Sequence, residues 1–167
     1  MSDFTLEIER CIPSLRRYAA ALLHDREAAD DLVQDCLERA LRKRLLWRRG
    51  SSMRAWLFTM LHNLYVNGVR RNSRTPSMIA SETAAVSYQE PHQTDTLMGD
   101  IVDCIDQLPD TQRQVLLLVA LEGFSYKEVG RIVGVPVGTV MSRLSRAREN
   151  LRRLMDGESR PGLRRVK

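Results

Sequence analysis

The stretch from Leu108 to Leu154 constrains this chain more than any other part of its sequence, because its local signals allow one layout: two short helices joined by a tight turn. Ser125-Tyr126-Lys127-Glu128 has capping-box spacing, in which the serine hydroxyl accepts from the Glu128 N–H and the glutamate reaches back to the Ser125 N–H, so a helix starts there. Val129, Ile132 and Val133 share one face, and Gly134 supplies the backbone on which such a helix stops. Pro136 fits the first turn of the next helix, where its missing N–H costs nothing. Val140, Leu144, Ala147, Leu151 and Leu154 then recur at spacings of four and three and form a buried stripe. An upstream helix, Thr111 to Leu121 with Gly123 as its stop, turns Val115, Leu118 and Val119 toward the pair.

Left outward on the second helix are Thr139, Ser142, Arg143 and Arg146, in the N-terminal half that reaches base edges when a helix-turn-helix lies in the major groove. Arginines opposite an apolar stripe are often only a solvated surface. Cap, turn, proline and basic face occurring together and in order argue against that plain explanation here.

With 167 residues, 43% of them hydrophobic, the chain holds one ordinary domain or two small ones with real cores. A formal charge of +5 favours an anionic partner without excluding a membrane surface or a merely basic soluble protein. The charge is also segregated. From Arg39 to Arg74 there are ten Lys and Arg and no Asp or Glu, whereas from Thr75 to Leu108 there are six acids and no Lys or Arg. Such blocks imply different partners for different segments. Cys11, Cys36 and Cys104 are odd in number and far apart, and His24, His62 and His92 lack metal spacing, so neither a disulfide framework nor a metal site is expected. With no span-length apolar run and no signal-peptide pattern, the expected location is a reducing cytoplasm, without membrane insertion.

The N-terminal half is also helical in pattern. Pro13 opens a helix to Leu23, with Asp3 to Cys11 a separate short helix or arm, and His24-Asp25-Arg26 makes a break. The next helix, Glu27 to Leu45, turns Ala28, Leu32, Cys36, Leu37, Ala40 and Leu41 inward and Asp31, Gln34, Asp35 and Glu38 outward. An acidic first half suits the macrodipole of any surface helix. A third helix, Met53 to Arg71, has Met53, Leu57, Met60, Leu61 and Leu64 on its core side. Trp56, Asn63, Asn67 and Arg70 lie near another face. An aromatic that stacks, amides that bond base edges and an arginine for phosphate suit unpaired DNA better than intact duplex; for Trp56 a core role is equally open, and Phe58 is read as core. Asn72 to Gln93 is rich in Ser, Thr, Pro and Ala and reads as a linker. Some twenty extended residues at about 3.3 Å each span roughly 60 to 70 Å. A fourth helix, Asp95 to Leu108, begins the second unit.

The run LPDTQRQVLLLVALEGFSYKEVGRIVGVPVGTVMSRLSRARENL resembles region four of the bacterial sigma-seventy family in its compact extracytoplasmic-function (ECF) branch. AADDLVQDCLERAL and RAWLFTMLHNLYVNGVRR resemble its region two. The resemblance implies an all-α fold of two small helical domains, a region-two domain over 1–74 and a region-four helix-turn-helix domain over 95–156; it does not extend to the flexible linker over 75–94, read from composition, or to the basic tail over 157–167, expected to be loose as a chain terminus. It implies upstream-element recognition, at the minus-thirty-five hexamer, by Ser142, Arg143 and Arg146, with Thr139 beside them and Lys127 and Arg131 toward phosphates. Downstream, at the minus-ten element, Trp56, Asn63, Asn67, Arg70 and Arg71 are the candidates for reading and melting, with Arg74 near the strand backbone. Asp31, Gln34, Asp35 and Glu38 become polymerase-facing, toward the beta-prime clamp helices, and the beta flap and an anti-sigma factor are further implied partners. Asn67 stands where an Asp is common in the family, and Ser145 where some members carry an aromatic.

No nucleophile-base pair, phosphate loop or metal constellation points to an enzyme, and no cofactor is implied. Two other classes compete: a helix-turn-helix repressor or activator with an N-terminal sensor or dimerisation unit, and a sigma-like decoy that sequesters an anti-sigma partner. The acidic helix followed by the aromatic-amide helix disfavours the first. Arg143 and Arg146 on the reading face disfavour the second. An enzyme acting on nucleic acid ranks last.

Overall fold

The computed structural model describes residues 3–48, 50–74 and 96–157, and every regular element within them is helical. The order is α1 Asp3–Leu23, α2 Arg26–Arg42, a 3-10 turn Arg44–Leu46, α3 Met53–Arg74, α4 Thr96–Asp106, α5 Asp110–Ala120, α6 Tyr126–Val133 and α7 Val137–Met155. The linker over 75–94 and the tail beyond Gly157 lie outside the described residues, as does the side chain of Arg74.

In the N-terminal half α1, α2 and α3 pack on one another. Ile8, Cys11, Leu15, Tyr18, Ala19 and Leu22 make one unbroken buried stripe along α1, so the expected arm and helix are a single helix that passes through Pro13. Both Pro13 and Glu9 are exposed, so the Glu9 carbonyl that loses its usual N–H partner can turn to water, and the burial of the stripe outweighs the interruption.

Asp25 caps α2 by accepting from the Ala28 N–H at 3.0 Å. The buried residues of α2 are Ala29, Val33, Cys36 and Ala40, rotated from the expected stripe; Ala28, Leu32 and Leu37 are half-buried and Leu41 is 51% exposed. Small side chains at Ala29, Cys36 and Ala40 form the seam, which lets α1 and α3 approach closely. The helix also stops short of Leu45, because the chain tightens into the 3-10 turn, with the Leu46 N–H on the Lys43 carbonyl at 2.8 Å. On α3, Met53, Leu57, Phe58, Met60, Leu61 and Tyr65 are buried and Leu64 is half-buried.

In the C-terminal half α7 packs against α4, α5 and α6. The capping box at Ser125 is complete: the Glu128 N–H donates to the serine hydroxyl at 3.3 Å and the Ser125 N–H to the Glu128 carboxylate at 2.8 Å. Gly134 ends α6 at φ 72°, in the left-handed region that disfavours any side chain. Gly130 serves a different purpose, since a Cβ there would sit 2.9 Å from the Val135 carbonyl oxygen. The turn between α6 and α7 therefore folds back directly over the α6 backbone.

The two halves do not stand apart. α3 packs on α6 and α1 on α5, and Tyr18, Phe58 and Phe124 form a ring chain across the boundary with centroids 5.4 and 4.9 Å apart. The two small helical domains thus share one continuous core among the described residues.

Candidate nucleic-acid interface

On α7, Val140, Leu144 and Ala147 are buried and Leu151 and Leu154 half-buried, which leaves Ser142 and Arg146 facing solvent. The Ser142 hydroxyl donates to the Thr139 carbonyl at 3.1 Å, holding that side chain against its own helix. Thr139 and Arg143 lie on one flank of this face and are half-buried. Arg143 is close enough to α3 for its charge to act on His62 there. His62 of α3 is buried, which pushes its imidazole below the usual range; Asp110 pulls it up and Arg143 pushes it further down. Lys127 and Arg131 on α6 are exposed. The other flank of α7 is open and carries Met141, Ser145, Arg148 and Arg152, which with Tyr126 of α6 line a shallow groove.

The candidates on α3 divide into two places. Asn63, Asn67, Arg70 and Arg71 are exposed along its second half. Trp56 is half-buried near its start, edge-on to Phe4 with centroids 6.2 Å apart, and Phe4 in turn meets Trp47 at 5.6 Å. Phe58 is fully buried.

Asp31, Gln34, Asp35 and Glu38 are all exposed on α2. Glu38 accepts from Gln34 at 3.4 Å and from Arg42 at 3.2 Å, so this end of the acidic face is partly neutralised from within its own helix. Asp31, Asp35 and Glu38 share a groove of about 810 Å³ with Asn67 and Arg71 of α3. The residues read as polymerase-facing thus adjoin residues read as DNA-facing, which their separation in sequence does not suggest.

Three features were not read from sequence. Leu45 and Leu46 are 90% and 69% exposed on a turn that also carries Lys43, Arg44 and Arg48, an apolar pair on a basic corner near Trp47. The signal was present in the bases on both sides, but the helix was expected to run on to Leu45. Met141 is a second exposed apolar group, on the helix-turn-helix itself. The third is Glu122, whose side chain is fully buried between the halves. Arg17 of α1 donates to both its carboxylate oxygens at 2.9 Å, and Arg54 of α3 donates to one at 2.7 Å and to the Glu122 carbonyl at 2.6 Å. The Arg54 guanidinium also lies over the Phe124 ring, 4.1 Å from its centroid. Two more carboxylates of the C-terminal half point across: Asp110 accepts from the Tyr65 hydroxyl at 2.6 Å, and Asp106 pairs with His24 at 3.0 Å. Burial first, and the Asp110 carboxylate second, push the Tyr65 phenol up to about 12.

The three cysteines are free and buried. Burial pushes the Cys36 thiol up to about 12. That keeps it a protonated packing group. Among the described residues no group of three or more His, Cys, Asp or Glu could hold a metal ion, and no helix is long and apolar enough to cross a membrane.

Comparison with known proteins places both halves. Residues 8–62 match the family model described as the Sigma2 domain of PhyR, and residues 98–151 match Sigma-70, region 4. The chain is 39% identical over 150 residues to the ECF RNA polymerase sigma factor EcfG of Rhodopseudomonas palustris, covering 89% of this chain and 83% of that one. It is 30% identical over 142 residues to the RNA polymerase sigma factor YlaC of Bacillus subtilis, covering 79% and 80%. Among solved structures, the sigma factor RpoE of Bartonella quintana, in complex with the anti-sigma factor NepR, superposes with a TM-score of 0.78 at 33% identity, covering 93% of this chain and 98% of that one.

Proposed function

The chain belongs to the extracytoplasmic-function branch of the sigma-seventy family, the RNA polymerase sigma factors that direct promoter-specific initiation, and on that premise we propose how its own residues divide the work. α7 reads the upstream element through Ser142, Arg143 and Arg146, with Thr139 beside them and Lys127 and Arg131 on flanking phosphates. Asn63, Asn67, Arg70, Arg71 and Arg74 hold the downstream element as it melts. Trp56 is the neighbouring aromatic. Asp31, Gln34, Asp35 and Glu38 dock on the beta-prime clamp helices of core polymerase, with the beta flap taken by the C-terminal half. The domain limits are those of the region-two unit over 1–74 and the region-four unit over 95–156.

The observation that carries this reading is the coexistence, in one chain, of an exposed acidic face on α2 and a capped helix-turn-helix with Ser142 and Arg146 outward. The mechanism is one of binding. Contacts to unpaired bases offset the cost of strand separation, and no residue is assigned a catalytic role. In the docked arrangement Arg143 is half-buried and Arg146 exposed, so Arg146 is the more accessible of the two to DNA. An anti-sigma factor is the natural partner of the docked form, in line with the complex in which the similar RpoE was solved. The site of action is the cytoplasm, where polymerase and promoter are found.

A second reading has one specific observation behind it. The N-terminal half matches the Sigma2 domain of PhyR, a protein described in its Bartonella quintana complex as an anti-anti-sigma factor. A decoy would need the shape of a sigma factor but not its DNA-reading side chains, and Arg143 and Arg146 are present here. Transcription in vitro with purified core polymerase, followed by mapping of start sites, separates the two. A sigma factor yields discrete starts with this chain alone; a decoy yields none and only relieves the inhibition of another sigma factor.

A further inference from the structure

The open flank of α7 carries a side chain whose chemistry can read only one kind of base. Met141 is 54% exposed, whereas Met53 and Met60 are 4% and 9% exposed in the core, so here the methionine is not filling a gap. It lies in the N-terminal half of α7, between the outward face of Ser142 and the groove lined by Tyr126, Ser145, Arg148 and Arg152. Thr139 and Arg143 lie on the opposite flank and are half-buried, whereas Met141, Ser145, Arg148 and Arg152 are exposed, so the Met141 flank is accessible with the halves docked. Ser142 and Ser145 are short, so Met141 projects beyond both. Arg148 and Arg152 line the same groove with one acid, Glu149, between them, so the flank keeps a net positive charge suited to the phosphates beside a base.

A thioether is at best a weak acceptor and cannot donate, so it cannot distinguish bases by hydrogen bonds. The apolar feature that a base presents in the major groove is the C5-methyl of thymine. We propose that Met141 is a specificity-determining residue that packs on the methyl group of a thymine, on either strand, within the upstream element. This rests on the reading of α7 as the helix that recognises that element.

The test uses the full chain assembled with core polymerase on a promoter whose start site has been mapped. Each thymine of the upstream element, on both strands, is replaced singly by uracil, which removes the methyl and nothing else. Burial of one methyl group corresponds to about a fourfold effect. One replacement should therefore weaken promoter binding about fourfold with the unaltered protein, leave Met141→Ala unaffected, and still be felt by Met141→Leu. Equal tolerance of every uracil, undiminished sensitivity in Met141→Ala, or an upstream element without thymine overturns the assignment while leaving the sigma reading intact. Absence of promoter-specific initiation overturns both, and is visible before any uracil is introduced.

Discussion

Replacing Glu122 with alanine should open the molecule without unfolding either half. The carboxylate is fully buried, while its partners Arg17 and Arg54 are 50% and 33% exposed. Once freed, Arg17 can reach water, so its loss is close to that of an exposed pair, about 0.2 to 1 kcal/mol. Arg54 keeps the Glu122 carbonyl and the Phe124 ring but loses a charged hydrogen bond worth about 1.5 to 3 kcal/mol. Together these weaken the docking by about 2 to 4 kcal/mol, which is roughly thirty- to a thousandfold in the equilibrium between docked and parted halves. The double variant Arg17→Ala/Arg54→Ala should cost more. It leaves the carboxylate itself buried and unpaired, for which about 3 to 5 kcal/mol is the usual scale. Small-angle scattering reads the separation as a rise in the radius of gyration, and helical circular dichroism checks that both halves stay folded. Urea unfolding should become less cooperative, as the halves cease to share a core. The reasoning is refuted if Glu122→Ala keeps the compact scattering profile, or if it proves more damaging than the double arginine variant.

Other consequences follow from single positions. Gly130→Ala places a methyl 2.9 Å from the Val135 carbonyl and should cost about 1 to 3 kcal/mol, since backbone must move; an unchanged thermal midpoint would contradict the close approach of the turn. Burial holds the His62 imidazole below its ordinary value of about 6.5, so protonation favours the unfolded chain. Its contribution is complete above that value and is lost as pH falls through it toward the lower folded value; His62→Gln should flatten the stability profile below pH about 6.5, and an equally steep profile in the variant would assign the slope to other groups. Asp31→Asn combined with Asp35→Asn should weaken binding to core polymerase while leaving the melting temperature near that of the unaltered protein, because both side chains are exposed. Retained affinity in a polymerase competition assay would move the docking face elsewhere.

The helices and the helix-turn-helix were legible because their causes are short-range. A capping box spans four residues, a helical stripe repeats every three or four, and the stops at Gly123 and Gly134 depend on the backbone freedom of one residue each. The same locality explains the errors. Pro13 was read as a beginning because proline often is one, and only the continuous burial of Cys11, Leu15 and Tyr18 shows that the helix runs through it. On α2 the stripe was rotated by about one residue, since alanines and a cysteine can form a seam as well as leucines can.

The sequence by itself determined an all-helical chain, its two units and the outward faces that carry acid on one and base on the other, because periodicity and charge are written along the strand. Tertiary structure alone decided how these units meet. Arg17 and Glu122 are 105 residues apart, and a buried carboxylate is tolerable only where distant cations converge on it. The same long-range packing left Arg143 half-buried and Met141 open, and put the acids of α2 in one groove with Asn67 and Arg71. Which side chains share a surface depends on how folded elements pack, and linear spacing carries that information only within a helix.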